Sequence, residues 1–440
     1  MMIKDTYEDA FTPEWLKENI NPAHELVILR KIIPWQIIIG LLTIFYNKTN
    51  GPVGRSLRVM VALLIIARLR GLSDREVVKQ VKENRYIQYF CNVPNEDLQT
   101  FIHYSSLCKF RKRIGVTGMS HIENAIFKVL RNADVIVGDY AMIDSTVLES
   151  NIIYPNDVQL INKAFKKMKD FAMRHNIPLW WDDSELKKLW RGFNMDRKGN
   201  RADWLATFNE IFIPALEIFN KLVSSVEISD NQKVKAEKLV MLLDILEIQT
   251  VQKLNGEKYI KNRLVSLDDP DARPIKKGKS HPVCEFGTTQ QLSFNRDGFI
   301  ITLENFIGSP NDKILYPDTI KLYIERMSGC PDTVVTDLGY RSKANLGKNT
   351  PDKVSHIFMG RSSDVSEDKR TQCQKARSAT EGFIATAKNL RGFGKSMWHM
   401  IGGHKMWGLM CQTAYNLKKF LQLWLDDRIS EKSMILLGLG

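Results

Sequence analysis

Cysteine is scarce in this chain and scattered where it occurs. Six stand in 440 residues (Cys91, Cys108, Cys284, Cys330, Cys373 and Cys411), with no two close enough for a Cys-x-x-Cys half-site. That spacing argues against a zinc ribbon or a disulfide framework and suits a reducing, cytosolic compartment. The cysteines are expected to be buried small hydrophobes. Eight histidines show neither metal-ligand nor triad spacing, which leaves no Ser-His-Asp or Cys-His candidate. Long apolar runs are missing too. Ile32 to Tyr46 falls short of the roughly 20 residues a membrane helix needs and contains Pro34 and Gln36, and Val59 to Ala67 is bounded by Arg58 and Arg68. Neither is expected to span a membrane, and the acidic start (Asp5, Glu8, Asp9) does not read as a secretory signal. Acid is in deficit overall, with 50 Asp and Glu against 63 Lys and Arg, a formal charge of +13 and a pI near 9.3. Such a surplus favours a polyanionic partner, although composition alone leaves a merely basic soluble protein open.

What is present is enough for a packed core: 44% apolar and 26% charged residues, in a chain long enough for roughly two or three units. Residues 1–132 read as short helices. Ser73 and Glu76 form a capping box in Leu72-Ser-Asp-Arg-Glu76. A helix start at Ser105 or Ser106 leads into Lys109, Arg111, Lys112 and Arg113 beside Phe110, a basic strip suited to a DNA-binding domain or, less specifically, a solvated helix face. The period changes at Ala133. Asp134 to Val137 and Tyr140 to Ile143 read as extended, and helical spacing returns from about 157 to 262, where Leu160, Ile161, Ala164, Phe165 and Met168 recur at three- and four-residue steps. Trp180, Trp181, Trp190 and Trp204 in this block read as packing residues. Strand signals resume at Val283 to Phe294 and Phe299 to Phe306 around an Asp297-Gly298 turn, then at Thr333 to Thr336 and Lys353 to Met359. Helices around Gln374 to Leu390 and Met406 to Trp424 follow. The expectation is an all-α N-terminal domain (1–132) and an α/β domain (133–440) with a mixed sheet, interrupted by a large all-helical insertion at about 157–262.

Two aspartates stand directly after apolar strand runs, Asp144 after Tyr140 to Ile143 and Asp337 after Thr333 to Thr336. Carboxyl ends of strands form the ligand crevice of open α/β sheets, so the two could converge. Asp139 and Asp332 sit at turn-like positions that begin strands, and Asp139 remains the nearest rival to Asp144. A third acid, Glu381, lies in Arg377-Ser-Ala-Thr-Glu381-Gly-Phe-Ile-Ala-Thr-Ala-Lys388. At 3.6 residues per turn Arg377, Glu381 and Lys388 share a narrow arc of one helix face. Structurally this is an ordinary i,i+4 ion pair. Chemically it is a metal ligand between two phosphate-binding cations. Three distant carboxylates suit phosphoryl transfer on DNA, because hard Mg²⁺ ions take oxygen ligands, and two of them about 3.5–4 Å apart activate the attacking oxygen and stabilise the leaving one.

At these residues the chain resembles the DDE transposases of bacterial insertion sequences. The match rests on Ile143-Asp-Ser-Thr146 with Tyr154-Pro-Asn-Asp157, on Thr336-Asp-Leu-Gly-Tyr340, and on the Arg377, Glu381, Lys388 spacing. Asp268-Asp-Pro-Asp-Ala-Arg-Pro274 followed by Lys276, Lys277 and Lys279 is similar to a basic segment of those enzymes. One departure is Gln374, where many relatives have Tyr. The resemblance implies an RNase H-like catalytic fold and Mg²⁺ held by Asp144, Asp337 and Glu381, with Asp144 bridging two ions and Mn²⁺ a plausible substitute. It implies Arg377 and Lys388 on the DNA backbone or terminal bases. Seven Lys/Arg against the single acid Glu381 between Arg370 and Lys405, Arg391 and Lys395 among them, form a strip able to track phosphates. The partners implied are double-stranded DNA, as terminal inverted repeats and target, and further copies of the chain, as a homodimer or larger assembly. The setting implied is the bacterial cytoplasm at the nucleoid. An RNase H-like nuclease that cuts without joining, and an inactive transposase-derived DNA-binding protein, are the alternatives.

Overall fold

The computed structural model describes residues 9–47, 49–51, 53–94, 98, 101–196, 199–276, 284–360 and 366–439. They form a mixed α/β structure that is mostly helical, and the chain divides into two compact units, Met1–Glu149 with Thr289–Gly440, and Ser150–Thr288.

The first unit opens with helices α1 (Pro13–Asn19), α2 (Glu25–Ile32), α3 (Trp35–Leu42), α4 (Leu57–Arg70), α5 (Asp74–Glu83), α6 (Arg85–Cys91) and α7 (Ser105–Asn132). Their ends follow local chemistry. Ser73 and Glu76 close the expected capping box, and Gly71 ends α4 at φ +67°, a left-handed stop that glycine adopts without Cβ strain. Helix α4 is buried on nearly all sides, which is why its apolar residues show no single stripe. In α7 Gly115 breaks the helical backbone (φ +57°, ψ −160°) and separates the basic strip from the rest of the helix. No single helix among the described residues is long and apolar enough to cross a membrane. One bent pair, Glu25–Ile32 with Trp35–Phe45, passes that test by length and composition together, and its apolar side chains are largely in the core.

Strand β1 (Tyr140–Ser150) follows α7. The expected extended run from Asp134 to Val137 is absent. Asp134 is left-handed (φ +56°), and the amides of Val135 and Ile136 turn back to Leu130 O, so these residues finish the helix end and bury their side chains there.

The second unit holds α8 (Asp157–Arg174), α9 (Asp183–Met195), α10 (Arg201–Ser225) and α11 (Asp230–Leu254), then β2 (Arg273–Ile275) and the first residues of β3 (Glu285–Phe294). Pro214 lies inside α10. The apolar face of α8 meets α10 and α11 in a separate core, against which Trp180, Trp181, Trp190 and Trp204 pack. Asp157, at the first position of α8, is buried and accepts from Gln249 Nε2 at 2.9 Å and from Arg263 Nη2 at 2.8 Å, tying the helix start to α11 and the chain beyond it.

The chain returns to the first unit with β4 (Ile300–Ile307), α12 (Asp312–Met327), β5 (Thr333–Thr336), α13 (Lys343–Leu346), β6 (His356–Met359), α14 (Glu367–Arg391), β7 (Lys395–Ser396), α15 (Met400–Leu425) and α16 (Glu431–Leu436). The sheet order is β2-β3-β1-β5-β6, with β4 on β3 and β7 on β1. β3 is antiparallel to β2 and β4, while β1, β5 and β6 run parallel. Helix α15 packs on α7, α4 and β4, so the N-terminal helices share one hydrophobic core with residues of the sheet, including Ile143, Ile301 and Val334.

That junction also carries a buried charge pair. Glu123 on α7, 2% exposed, meets Arg326 Nη2 of α12 at 2.7 Å, and the same guanidinium covers Phe127. Removing one partner strands the other in low dielectric, a loss of about 3–5 kcal/mol. Glu123→Ala is therefore expected to lower the unfolding free energy of the first unit by about that much in denaturant titration. A loss below about 1 kcal/mol would show that the pair does not brace α7 against α12.

Candidate active site

The parallel register of β1 and β5 decides the site. Tyr140 pairs with Thr333 and Ile143 with Thr336, so the next residue on each strand is an aspartate, Asp144 beside Asp337. Adjacent strands lie about 4.8 Å apart. β5 ends there. β1 does not, contrary to the strand-end expectation: Asp144 lies midway along a strand that continues to Ser150, at the point where pairing with β5 stops.

Asp337 enters a turn of 3₁₀ helix, where its Oδ1 accepts from Gly339 N at 2.8 Å. Asp144 Oδ1 accepts from Ser145 N at 2.7 Å. Both are half-buried. The neighbouring strand end is Gly360, at φ +70°, where an added Cβ would lie 2.8 Å from Leu338 N. Only glycine lets β6 turn away while the backbone after Asp337 passes so close.

Helix α14 supplies the third acid. It buries Cys373, Thr380 and Ala387 and packs half-buried Ala376 and Ile384 against the sheet and α15, which leaves Arg377, Glu381 and Lys388 along the edge of that face. Asp144, Asp337, Arg377, Thr380 and Glu381 line one small hollow of about 50 Å³. Asp139 does not line it. It sits at the other end of β1, with Oδ1 accepting from Tyr140 N and its carbonyl from Thr333 N.

Among the described residues three carboxylates and no histidine or cysteine line the hollow, a donor set that a hard cation takes. Among the described residues, however, no three His, Cys, Asp or Glu side chains stand close enough to hold a metal ion. Glu381 is 69% exposed and faces Arg377 at 3.9 Å.

A fourth acid, Asp312, borders this place and was not singled out from the sequence. Ser145 Oγ donates to its Oδ1 at 3.0 Å, and a Cβ on Gly339 would lie 3.0 Å from Asp337 Oδ1 and 3.3 Å from Asp312 Oδ2. Tyr340 lies buried beside them and donates to Gln291 Oε1 at 3.0 Å. Burial first, and then the negative Asp312 and Asp144, hold its phenol well above the usual tyrosine range, so it stays a neutral donor. An acid in the first turn of a helix capped by Asn311 is an ordinary complement to the helix dipole, which hid Asp312 in the sequence.

The cations are dispersed. Lys109, Lys112 and Arg113 on α7 are exposed, whereas Arg111 is not: its fork binds Asp74 at 2.8 and 2.7 Å and it covers Trp398. The expectation of an outward Arg111 is corrected, because a buried bidentate pair consumes its donors. On the C-terminal side Arg377 and Lys395 are exposed and Lys388 and Arg391 half-buried; burial lowers the Arg391 pKa. Lys276 is exposed, and Lys277 and Lys279 lie outside the described residues.

Residues 14–113, from α1 into α7, match the family model described as Transposase domain (DUF772), and the chain belongs to this transposase family. A Rhizobium meliloti relative, described as "Uncharacterized protein ORF8 in nfe locus", is 31% identical over 172 residues, which are 38% of this chain and 83% of that protein. No solved structure matches. The domain match ends before β1 and includes none of the three acids.

The turn after Asp337 yields a test. Gly360→Ala is expected to cost about 1–3 kcal/mol in denaturant unfolding, from left-handed strain and contact with Leu338. Gly382→Ala, on α14 with nothing within 4 Å of the added Cβ, is expected to be neutral or stabilising. Equal responses would remove the constraint assigned to Gly360.

Proposed function

We propose that this chain is a DDE transposase, with an RNase H-like catalytic sheet, that cuts DNA at the terminal inverted repeats of an insertion sequence and joins the freed 3′-OH ends to target DNA. The observation that carries the reading is the convergence of Asp144, Asp337 and Glu381, 237 residues apart at the extremes, on one hollow beside Arg377. Membership of a transposase family supports it independently.

The acids fit Mg²⁺, or Mn²⁺, by donor chemistry. Bound there, two such ions would supply an activated oxygen nucleophile and stabilise the leaving 3′ oxygen. The chain's own part is orientation. Strand register fixes Asp144 and Asp337 relative to each other, and the backbone amides of Ser145 and Gly339 orient their carboxylates, the groups that would hold the ions with Glu381. Glu381 completes the set by a rotamer change away from Arg377, which its exposure permits. Released from Glu381, Arg377 and the neighbouring Lys388 meet the DNA phosphates. Exposed Lys109, Lys112, Arg113, Lys276 and Lys395 add sequence-independent affinity. Holding two element ends together calls for at least a dimer on DNA.

Purified protein with Mg²⁺ and DNA carrying the element's inverted repeats is expected to give nicks at the element ends and covalently joined target products. Asp337→Asn should reduce both by at least a thousandfold while preserving DNA affinity. Cleavage without joining would favour an RNase H-like nuclease, and DNA binding with no Mg²⁺-dependent turnover an inactive binding protein. Turnover unchanged by Asp337→Asn would end the proposal.

A further inference from the structure

A second cavity, sharing no residue with the carboxylate hollow, opens among the N-terminal helices, lined by Asp9 and by residues of the matched segment 14–113. It measures about 500 Å³ and is lined by, among others, Asp9, Arg30, Lys31, Trp35, Arg58 and Tyr89. Arg30 and Arg58 are each only 8% exposed. Arg30 lies over the Tyr89 ring, 4.0 Å from its centroid, and donates to Tyr89 O, to Asn92 Oδ1 and to the Asp9 carboxylate. Arg58 donates through Nη2 to Phe90 O at 2.8 Å and lies 3.1 Å from the Trp35 ring centroid, while its Nη1 is buried with no hydrogen-bond partner among the described residues.

Among the described residues the charges do not balance. Two buried guanidiniums face a single described carboxylate, Asp9, which is itself 56% exposed at the rim. Among the described residues Arg58 has only a neutral carbonyl and an aromatic face as direct partners, and a buried cation without an adjacent anion is costly. Burial first, and then the adjacent Arg30 cation, push the Arg58 pKa well below the ordinary arginine value, with Asp9 acting the other way. Exposed Lys31 adds a third cation at the mouth.

We propose that this cavity is a binding site for a phosphate-type oxyanion, which sits between Arg30 and Arg58 in the place that the Asp9 carboxylate now takes as an internal stand-in. Guanidinium forks suit phosphate oxygens, and with Asp9 displaced, three cations face the incoming charge. The source is either the phosphate of a DNA strand or a free phosphate compound.

Calorimetric titration of the full chain with sodium pyrophosphate, without divalent ions and at fixed ionic strength, tests this. The wild type should bind, Asp9→Asn should bind at least threefold tighter, and Arg58→Gln with an unchanged circular dichroism spectrum should lose at least tenfold. If Arg58→Gln does not fold, Asp9→Asn decides alone. Absence of binding, or no tightening in Asp9→Asn, overturns the proposal. A fluorescently labelled duplex separates the sources. Displacement of the duplex by pyrophosphate from the wild type, together with tighter duplex binding by Asp9→Asn, assigns the site to a DNA phosphate, whereas a change confined to the pyrophosphate titration assigns it to a free phosphate compound. Asp337→Asn should titrate like the wild type, so this result stands or falls apart from the assignment of the carboxylates.

Discussion

The register of β1 against β5 is the constraint on which the site depends. Four residue pairs, from Tyr140 with Thr333 to Ile143 with Thr336, are buried between helices, and the fifth step is a pair of aspartates. A slip of one residue would turn Met142, Ile143 and Val335 to the wrong faces, so the core that fixes the strands also fixes the acids. Two like charges one strand apart repel each other. Backbone amides at Ser145 and Gly339 offset part of that repulsion, and a cation between the carboxylates would offset more.

Around that pair the chain builds support from distant segments. Helix α14 brings Glu381 by burying the face beside it, α12 brings Asp312, and the Glu123–Arg326 pair ties α12 to α7. The N-terminal helices are thus packed into the same core as the sheet.

Much of this was legible in the sequence where pattern and local chemistry agree. The capping box at Ser73, the hairpin strands around Asp297-Gly298 and the helical spacing from Asp157 onward all follow from residue periods that tertiary packing had no reason to override. The shared face of Arg377 and Glu381 was readable for the same reason. Three features were not. Val135 and Ile136 have strand-forming side chains, yet their amides complete the end of α7. Arg111 sits in a basic run, but its partner Asp74 is 37 residues away and a run of charges does not reveal which member turns inward. Asp312 is an acid in the first turn of a helix capped by Asn311, an ordinary place for an acid, and only the fold brings its carboxylate beside Ser145.

The central claim is that Asp144, Asp337 and Glu381 together hold divalent ions. Mn²⁺ titration followed by electron paramagnetic resonance, on wild type and on Asp144→Asn, Asp337→Asn and Glu381→Gln, addresses it directly. Two ions per wild-type chain are expected, with each substitution lowering the stoichiometry or weakening affinity at least tenfold. Binding that is absent in the wild type, or unchanged in all three variants, would contradict the claim.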